Sequence, residues 1–148
     1  MKCYAVALSL LCLGAGVGRA CSCAQAYTVA MAYSAATDVF AGTVLSVEQD
    51  SVRLREDWIP AVKARIRIEQ SWKGAPAGQV VTLHMALTTC AVELPTGEVV
   101  VLFANRATRG PLKGKLSAGL CGQPMEPLST VGAASDSLGP PRSIRSGK

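Results

Sequence analysis

Histidine is nearly missing from this 148-residue chain, with His84 the single example. A metal cluster needs several His, Cys or carboxylate groups converging on one point, and a hydrolytic triad needs a histidine beside its nucleophile. His84 lies inside an alternating strand pattern and reads as a strand residue. A Gly-rich phosphate loop and a nucleophile elbow are missing as well. An enzyme is not expected, and no cofactor or resident metal is implied. Aromatic residues are scarce too: two Trp, three Tyr and two Phe. None is interleaved with the basic stripe Lys63, Arg65 and Arg67, so the stacking platform that single-stranded nucleic acid needs is lacking. That stripe reads as a solvated strand face, and no nucleic-acid partner is expected. Glu56-Asp57 is read as a solvated carboxylate pair in a polar loop.

Long apolar runs are also lacking, with one informative exception at the start. Met1-Lys2 forms a short basic region, Ala5 to Gly14 a hydrophobic run, and Gly18 and Ala20 stand at the −3 and −1 positions a signal peptidase recognises. The run falls short of the roughly 18 to 20 apolar residues a membrane span needs, and no later run approaches that length. Residues 1–20 are therefore expected to be a signal peptide. The protein is expected to be secreted, extracellular or periplasmic, with no transmembrane span. Removing residues 1–20 takes away Lys2 and Arg19 but no acidic residue, leaving 13 basic against 10 acidic side chains, or +3. That excess is mild and does not by itself call for an anionic partner.

Cysteine is what the chain does have. Of six, Cys3 and Cys12 fall in the leader, which leaves Cys21, Cys23, Cys90 and Cys121, an even number in an oxidising compartment. Cys21 and Cys23 are too close to pair comfortably, so each is expected to bridge to Cys90 or Cys121. Loops of this length stabilise by about 4 kcal/mol each in the chain-entropy account. A cysteine directly after a leader can instead be lipidated, but lipidation favours an aliphatic residue three places earlier, where this chain has Gly18. A lipidated Cys21 would also leave one cysteine unpaired.

Along the remainder, Ala24 to Ala36 carries Tyr27, Met31 and Ser34 at helical spacing, predicting one short helix with Tyr27, Met31 and Tyr33 in the core. Asp38 to Glu48 is a strand with a bend or bulge at Gly42. Gln49 to Pro60 is a polar loop that exposes Trp58. Ala61 to Trp72 alternates Val62, Ala64, Ile66 and Ile68 with charged residues, the clearest strand in the chain. Gln79 to Met85 is a third strand and Glu98 to Ala104 a fourth, apolar enough to be buried on both faces. Asn105 to Lys113 is a basic loop, and Lys115 to Cys121 a short fifth strand. From 132 to 148, Ser, Gly, Pro and basic residues without periodicity predict a disordered tail. The expectation is one all-β domain over 21–131, a small closed five-stranded barrel with one N-terminal helix.

A mature chain that starts at Cys21 would have an unusual terminus. An α-amine with a pKa near 8 is partly neutral at pH 7 and offers a lone pair. Its own carbonyl lies within chelating reach. Together they could fill the open coordination position of another protein's catalytic zinc. Two bridges one residue apart would hold both groups rigid and reduce the entropic cost of binding. Ser22 would then enter the pocket beside the metal. The plainer alternative is that Cys21 and Cys23 only staple a terminus.

Cys21-Ser22-Cys23, a helix, and then Asp38-Val39-Phe40-Ala41-Gly42-Thr43-Val44 resemble the inhibitory domain of tissue inhibitors of metalloproteinases and the wider netrin-like module family. Trp72-Lys73-Gly74, Thr89-Cys90, Gly97 before Val99-Val100-Val101-Leu102-Phe103, and Leu120-Cys121 with Pro127-Leu128 extend the resemblance over nearly all of 21–128. It implies an oligonucleotide/oligosaccharide-binding (OB) type barrel with disulfides Cys21–Cys90 and Cys23–Cys121. It further implies a monomeric inhibitor of zinc metalloproteinases that chelates the protease zinc through the Cys21 amine and carbonyl. Ser22, Cys23, Thr88, Thr89 and Cys90 would contact the protease. The chain departs from the family pattern in three places. A third disulfide and a C-terminal domain are lacking, and Ala24-Gln25-Ala26 stands where a proline is common. Netrin-like modules without inhibitory activity share the fold, so the alternative is a secreted netrin-like module that binds a protein or polyanionic ligand. The Ala-rich composition, with a single asparagine, points to a bacterial exported member.

Overall fold

The computed structural model describes residues 23, 27–87, 91–124 and 131–142. The proposed leader, and with it the cleavage after Ala20, lies outside them. The order is α1 (Val29–Ala35), β1 (Asp38–Leu54), β2 (Asp57–Lys73), β3 (Val80–Ala86), β4 (Val99–Arg106), β5 (Leu116–Ser117), a 3₁₀ turn (Leu120–Gly122) and α2 (Val131–Leu138). The five strands form one sheet that closes in a ring, β1-β2-β3-β5-β4 and back to β1. Within the ring, closure removes the free edges that would otherwise invite pairing with other chains, whereas the outer part of the β1–β2 hairpin pairs on one side only. β3 and β5 pair in parallel, and the other pairs are antiparallel.

Alternation along the strands divides the apolar residues between two cores. Phe40, Ile66, Ile68, Leu83, Leu102 and Leu116 belong to a cluster fed by all five strands, which places it inside the ring. Val39, Ala41, Trp72 and Phe103 join Ala32 and Ala36 of the α1 region and Ala134 of α2 in a second cluster. That cluster packs both helices on the outside of the sheet. β4 is thus buried on both faces at Leu102, Phe103 and Ala104, as its apolar run predicts, while Val99 at its start is exposed.

β1 bends to serve two neighbours, pairing with β2 along its length and with β4 over Asp38–Thr43. Its register slips at three places, one of them between Ala41 and Gly42, where a bulge is predicted. The bend brings the strands so close that a Cβ on Gly42 would lie 2.7 Å from both the Arg67 carbonyl oxygen and Ile66 Cγ2. A backbone carbonyl cannot move aside cheaply. Gly42→Ala is expected to cost about 1–3 kcal/mol, the usual range for overpacking. Thermal unfolding checks this, and an unchanged midpoint would contradict the account of the bend.

Four expectations need correction. Gln49 to Pro60 is not a loop, because β1 runs on to Leu54 and turns at Arg55-Glu56 into β2 at Asp57. Polar side chains disguise backbone pairing from Gln49↔Val62 to Leu54↔Asp57. Pro60 stands at the end of the β2–β3 ladder, whose register starts at Ala61, and its carbonyl still accepts from the Leu87 amide at 2.7 Å. Arg55 sits at φ 58°, a left-handed position rarely taken by a residue other than glycine. Trp58 near this tip is exposed, as expected. Second, the fifth strand is confined to Leu116–Ser117, and Leu120–Gly122 is a 3₁₀ turn. Third, α1 begins only at Val29, where Thr28 Oγ1 caps it by accepting from the Met31 amide at 3.3 Å. Met31 is exposed rather than in the core, whereas Tyr27 and Tyr33 do pack against it.

Fourth, the described part of the expected tail, residues 132–142, is ordered. Val131–Leu138 is a helix with Ala134 fully buried. Trp72 Nε1 donates to the Gly139 carbonyl at 2.8 Å, and the Arg142 amide donates to the Ser71 carbonyl at 2.7 Å. A low apolar content concealed this, since one alanine and one leucine suffice to dock a short helix on a tryptophan. Residues 143–148 lie outside the described part.

Candidate functional site

The N-terminal segment is tied to the sheet at two described points. Cys23 is disulfide-bonded to Cys121, with Cα atoms 5.3 Å apart across 98 residues of sequence. Four residues on, Tyr27 forms a parallel backbone bridge with Pro124. Cys121 lies in the 3₁₀ turn just after β5, so Cys23 is fixed beside the closing seam of the ring. This is one of the two pairings that the family resemblance implies. Cys21, Ser22, Thr88, Thr89 and Cys90, and with them the Cys21–Cys90 pairing, lie outside the described residues.

The flanks of the Thr88–Cys90 segment are described. Leu87, half exposed, donates its amide to the Pro60 carbonyl at 2.7 Å. Beyond the gap, Val92 and Leu94 pack against the inner core. The chain then returns to β1 through Gly97 N to Val44 O at 2.8 Å and Val44 N to Glu98 O at 2.9 Å. Both flanks of residues 88–90 are therefore anchored, Leu87 to β2 and Val92 and Leu94 to the inner core.

The Trp72-Lys73-Gly74 motif has a structural explanation in this fold. Trp72 holds α2 through Gly139, and Tyr33 Oη donates to the Trp72 carbonyl at 3.2 Å. Lys73 Nζ donates to the carbonyls of Tyr33 and Ser34 at 3.0 and 3.3 Å, next to the C-terminal end of α1, where a cation is favoured. It also lies 5.4 Å from the Tyr33 ring centroid. Gly74, at φ +82°, leaves no space for a side chain, because a Cβ would overlap the Asp38 carboxylate. That carboxylate is buried and accepts from Thr37 Oγ1 at 2.8 Å and from the Ala75 amide at 3.0 Å.

On the outer face of β2, Arg67 Nε donates to Glu69 Oε1 at 3.2 Å, and Thr43 Oγ1 donates to the same oxygen at 2.9 Å. The Thr43 hydrogen bond first, and then Arg67, holds the Glu69 carboxyl below its ordinary range. One end of the basic stripe is thus compensated. Gln123 was not singled out in the sequence, yet its side-chain amide pairs with β4 as a strand would. It accepts from Phe103 N at 3.1 Å and donates to Phe103 O at 2.9 Å. A lone glutamine two residues after a cysteine carries no signal that could have revealed this.

Among the described residues, no cluster of three or more His, Cys, Asp or Glu is placed to hold a metal ion. No described helix is long and apolar enough to cross a membrane. No family model matches the chain, and no curated protein matches it in sequence.

Proposed function

We propose that the protein is a secreted inhibitor of zinc metalloproteinases, acting through the amine and carbonyl of Cys21 at its mature N-terminus. The observation that carries this reading is the Cys23–Cys121 bridge, which fixes the residue two places from the proposed ligand to the 3₁₀ turn that follows β5. A second bridge from Cys21 to Cys90 would hold the amine and carbonyl themselves and bring Thr88 and Thr89 alongside Ser22. The closed five-stranded sheet supports an OB-type barrel as the scaffold. A disulfide is the cross-link expected of an exported protein. The chemistry is ligand substitution: the neutral amine and the carbonyl displace the water from the protease zinc, and Ser22 occupies the adjoining specificity pocket.

Acetylating the Cys21 amine tests the reading. The modification removes the lone pair and leaves the barrel untouched, so inhibition is expected to vanish while the melting temperature stays the same. Inhibition by the unmodified protein should also weaken as pH falls. Well below the amine pKa of about 8, each pH unit removes about tenfold of the neutral form. Undiminished inhibition after complete acetylation would reject chelation.

A second reading, a non-inhibitory netrin-like binding module, is favoured by one observation. Trp58 is 66% exposed near the tip of the β1–β2 hairpin, where a large apolar side chain suits a protein contact. An authentic N-terminus that inhibits no zinc protease, together with loss of partner binding in Trp58→Ala, would favour that module.

A further inference from the structure

The ring closes weakly at β5. One residue pair joins β3 to β5 and two join β4 to β5, and at this seam lies a pocket of about 300 Å³. Val81, Thr82 and His84 of β3 line it with Arg106 at the end of β4, and Gly114, Lys115 and Leu116 complete the wall. A water occupies about 30 Å³, so the space suits a small ion with several waters.

The polar lining is cationic. Arg106 and Lys115 form no ion pair with another described residue, and the only hydrogen bond the Arg106 side chain makes to a described residue is a long one, 3.4 Å from Nη1 to the Gly114 carbonyl. Lys63 and Arg65 of β2 stand opposite His84 and Thr82 in the register, adding positive charge on that flank. Of the described carboxylates, Asp50 of β1 lies 3.8 Å from His84 Nδ1 and is not part of the lining, and Glu48 of β1 stands opposite Lys63 in the register. Nδ1 is buried and makes no hydrogen bond. Burial, and next the Lys115 charge, push the imidazole below its ordinary pKa, with Lys63 adding to this and Asp50 opposing it. A guanidinium, an ammonium, a hydroxyl and an imidazole around one small space are the donor types that tetrahedral oxyanions use.

We propose that this seam pocket binds a phosphate or sulfate group, held by Arg106 and Lys115 with Thr82 and His84. The site is independent of the N-terminal cysteines. A bound dianion would neutralise the cluster that faces His84 and raise the imidazole pKa.

His84 is the single histidine, so its imidazole resonances report on the pocket without ambiguity. The experiment titrates the full-length protein at pH 7 with inorganic phosphate, with a sulfated disaccharide, and with sodium chloride at matched ionic strength. A saturable His84 shift with phosphate or the disaccharide, and none with chloride, is expected. The pair Arg106→Gln and Lys115→Gln should weaken binding at least tenfold, whereas Lys113→Gln outside the pocket should leave it intact. Arg106 and Lys115 are both exposed, so the double variant should melt with the wild type. Response to inorganic phosphate identifies a free anion as sufficient. Response to the disaccharide alone, with the same dependence on Arg106 and Lys115, identifies the ester-linked group. No saturable shift with either ligand, or a shift that survives the double substitution, would overturn the proposal.

Discussion

Trp72→Ala is expected to lower the melting temperature by on the order of 10–20 °C and to release α2 from the sheet. The indole is 3% exposed in a cluster with Ala32, Ala36, Val39, Phe103 and Ala134, so it touches both helices and the outer face of the sheet. Replacing a buried aromatic residue by alanine costs about 3–5 kcal/mol, a large part of a domain stability of about 5–15 kcal/mol. The same change removes the donor to the Gly139 carbonyl. Trp72→Phe separates the two contributions: most of the ring volume stays, and the missing hydrogen bond should cost about 1 kcal/mol. Amide exchange across residues 131–138 should accelerate in the alanine variant well before exchange in β2. Equal melting of Trp72→Ala and wild type would mean that the outer cluster and its docked helix contribute nothing.

Where the fold could be read from the sequence, one local signal was strong. The alternation over Val62–Ile68 identified β2, and the unbroken run Val99–Phe103 revealed a strand buried on two sides. Gly42 marked a bulge because no other residue could fit under Arg67 and Ile66 there. The misses share a different cause. Residues 49–60 are held by backbone pairing in which Val52, opposite Ile59, is the residue that is buried, and the alternation of Val52 and Leu54 is too short to stand out among the polar residues around it. α2 exists because Trp72 offers it a surface, so its stability is tertiary and its own composition reads as tail. β5 is a two-residue strand held between β4, its hairpin partner, and β3, distant in sequence, and no local pattern sets its ends. For the candidate site, one of the two implied pairings, Cys23–Cys121, is present, while Cys21, Ser22 and residues 88–90 lie outside the described residues. The seam pocket was invisible in the sequence, because Thr82, Arg106 and Lys115 meet only when the ring closes.

Lengthening the chain by one alanine before Cys21 is expected to abolish inhibition. The added residue moves the amine by about 3.8 Å, the spacing of adjacent Cα atoms. It also converts the Cys21 nitrogen into an amide, whose lone pair is delocalised and cannot bind zinc. The Cys23–Cys121 disulfide is untouched, so folding and melting should match the unextended protein. A loss of two orders of magnitude in affinity, about 3 kcal/mol, is the least expected. Ser22→Leu should instead change which proteases are inhibited, since it alters the pocket contact and spares the ligand. The most direct measurement titrates the protein prepared in the proposed mature form, beginning at Cys21, and its alanine-extended form side by side against a panel of zinc endopeptidases. Inhibition by the unextended form with at least a hundredfold loss on extension is the expected result, and equal inhibition by the two forms would contradict chelation through Cys21.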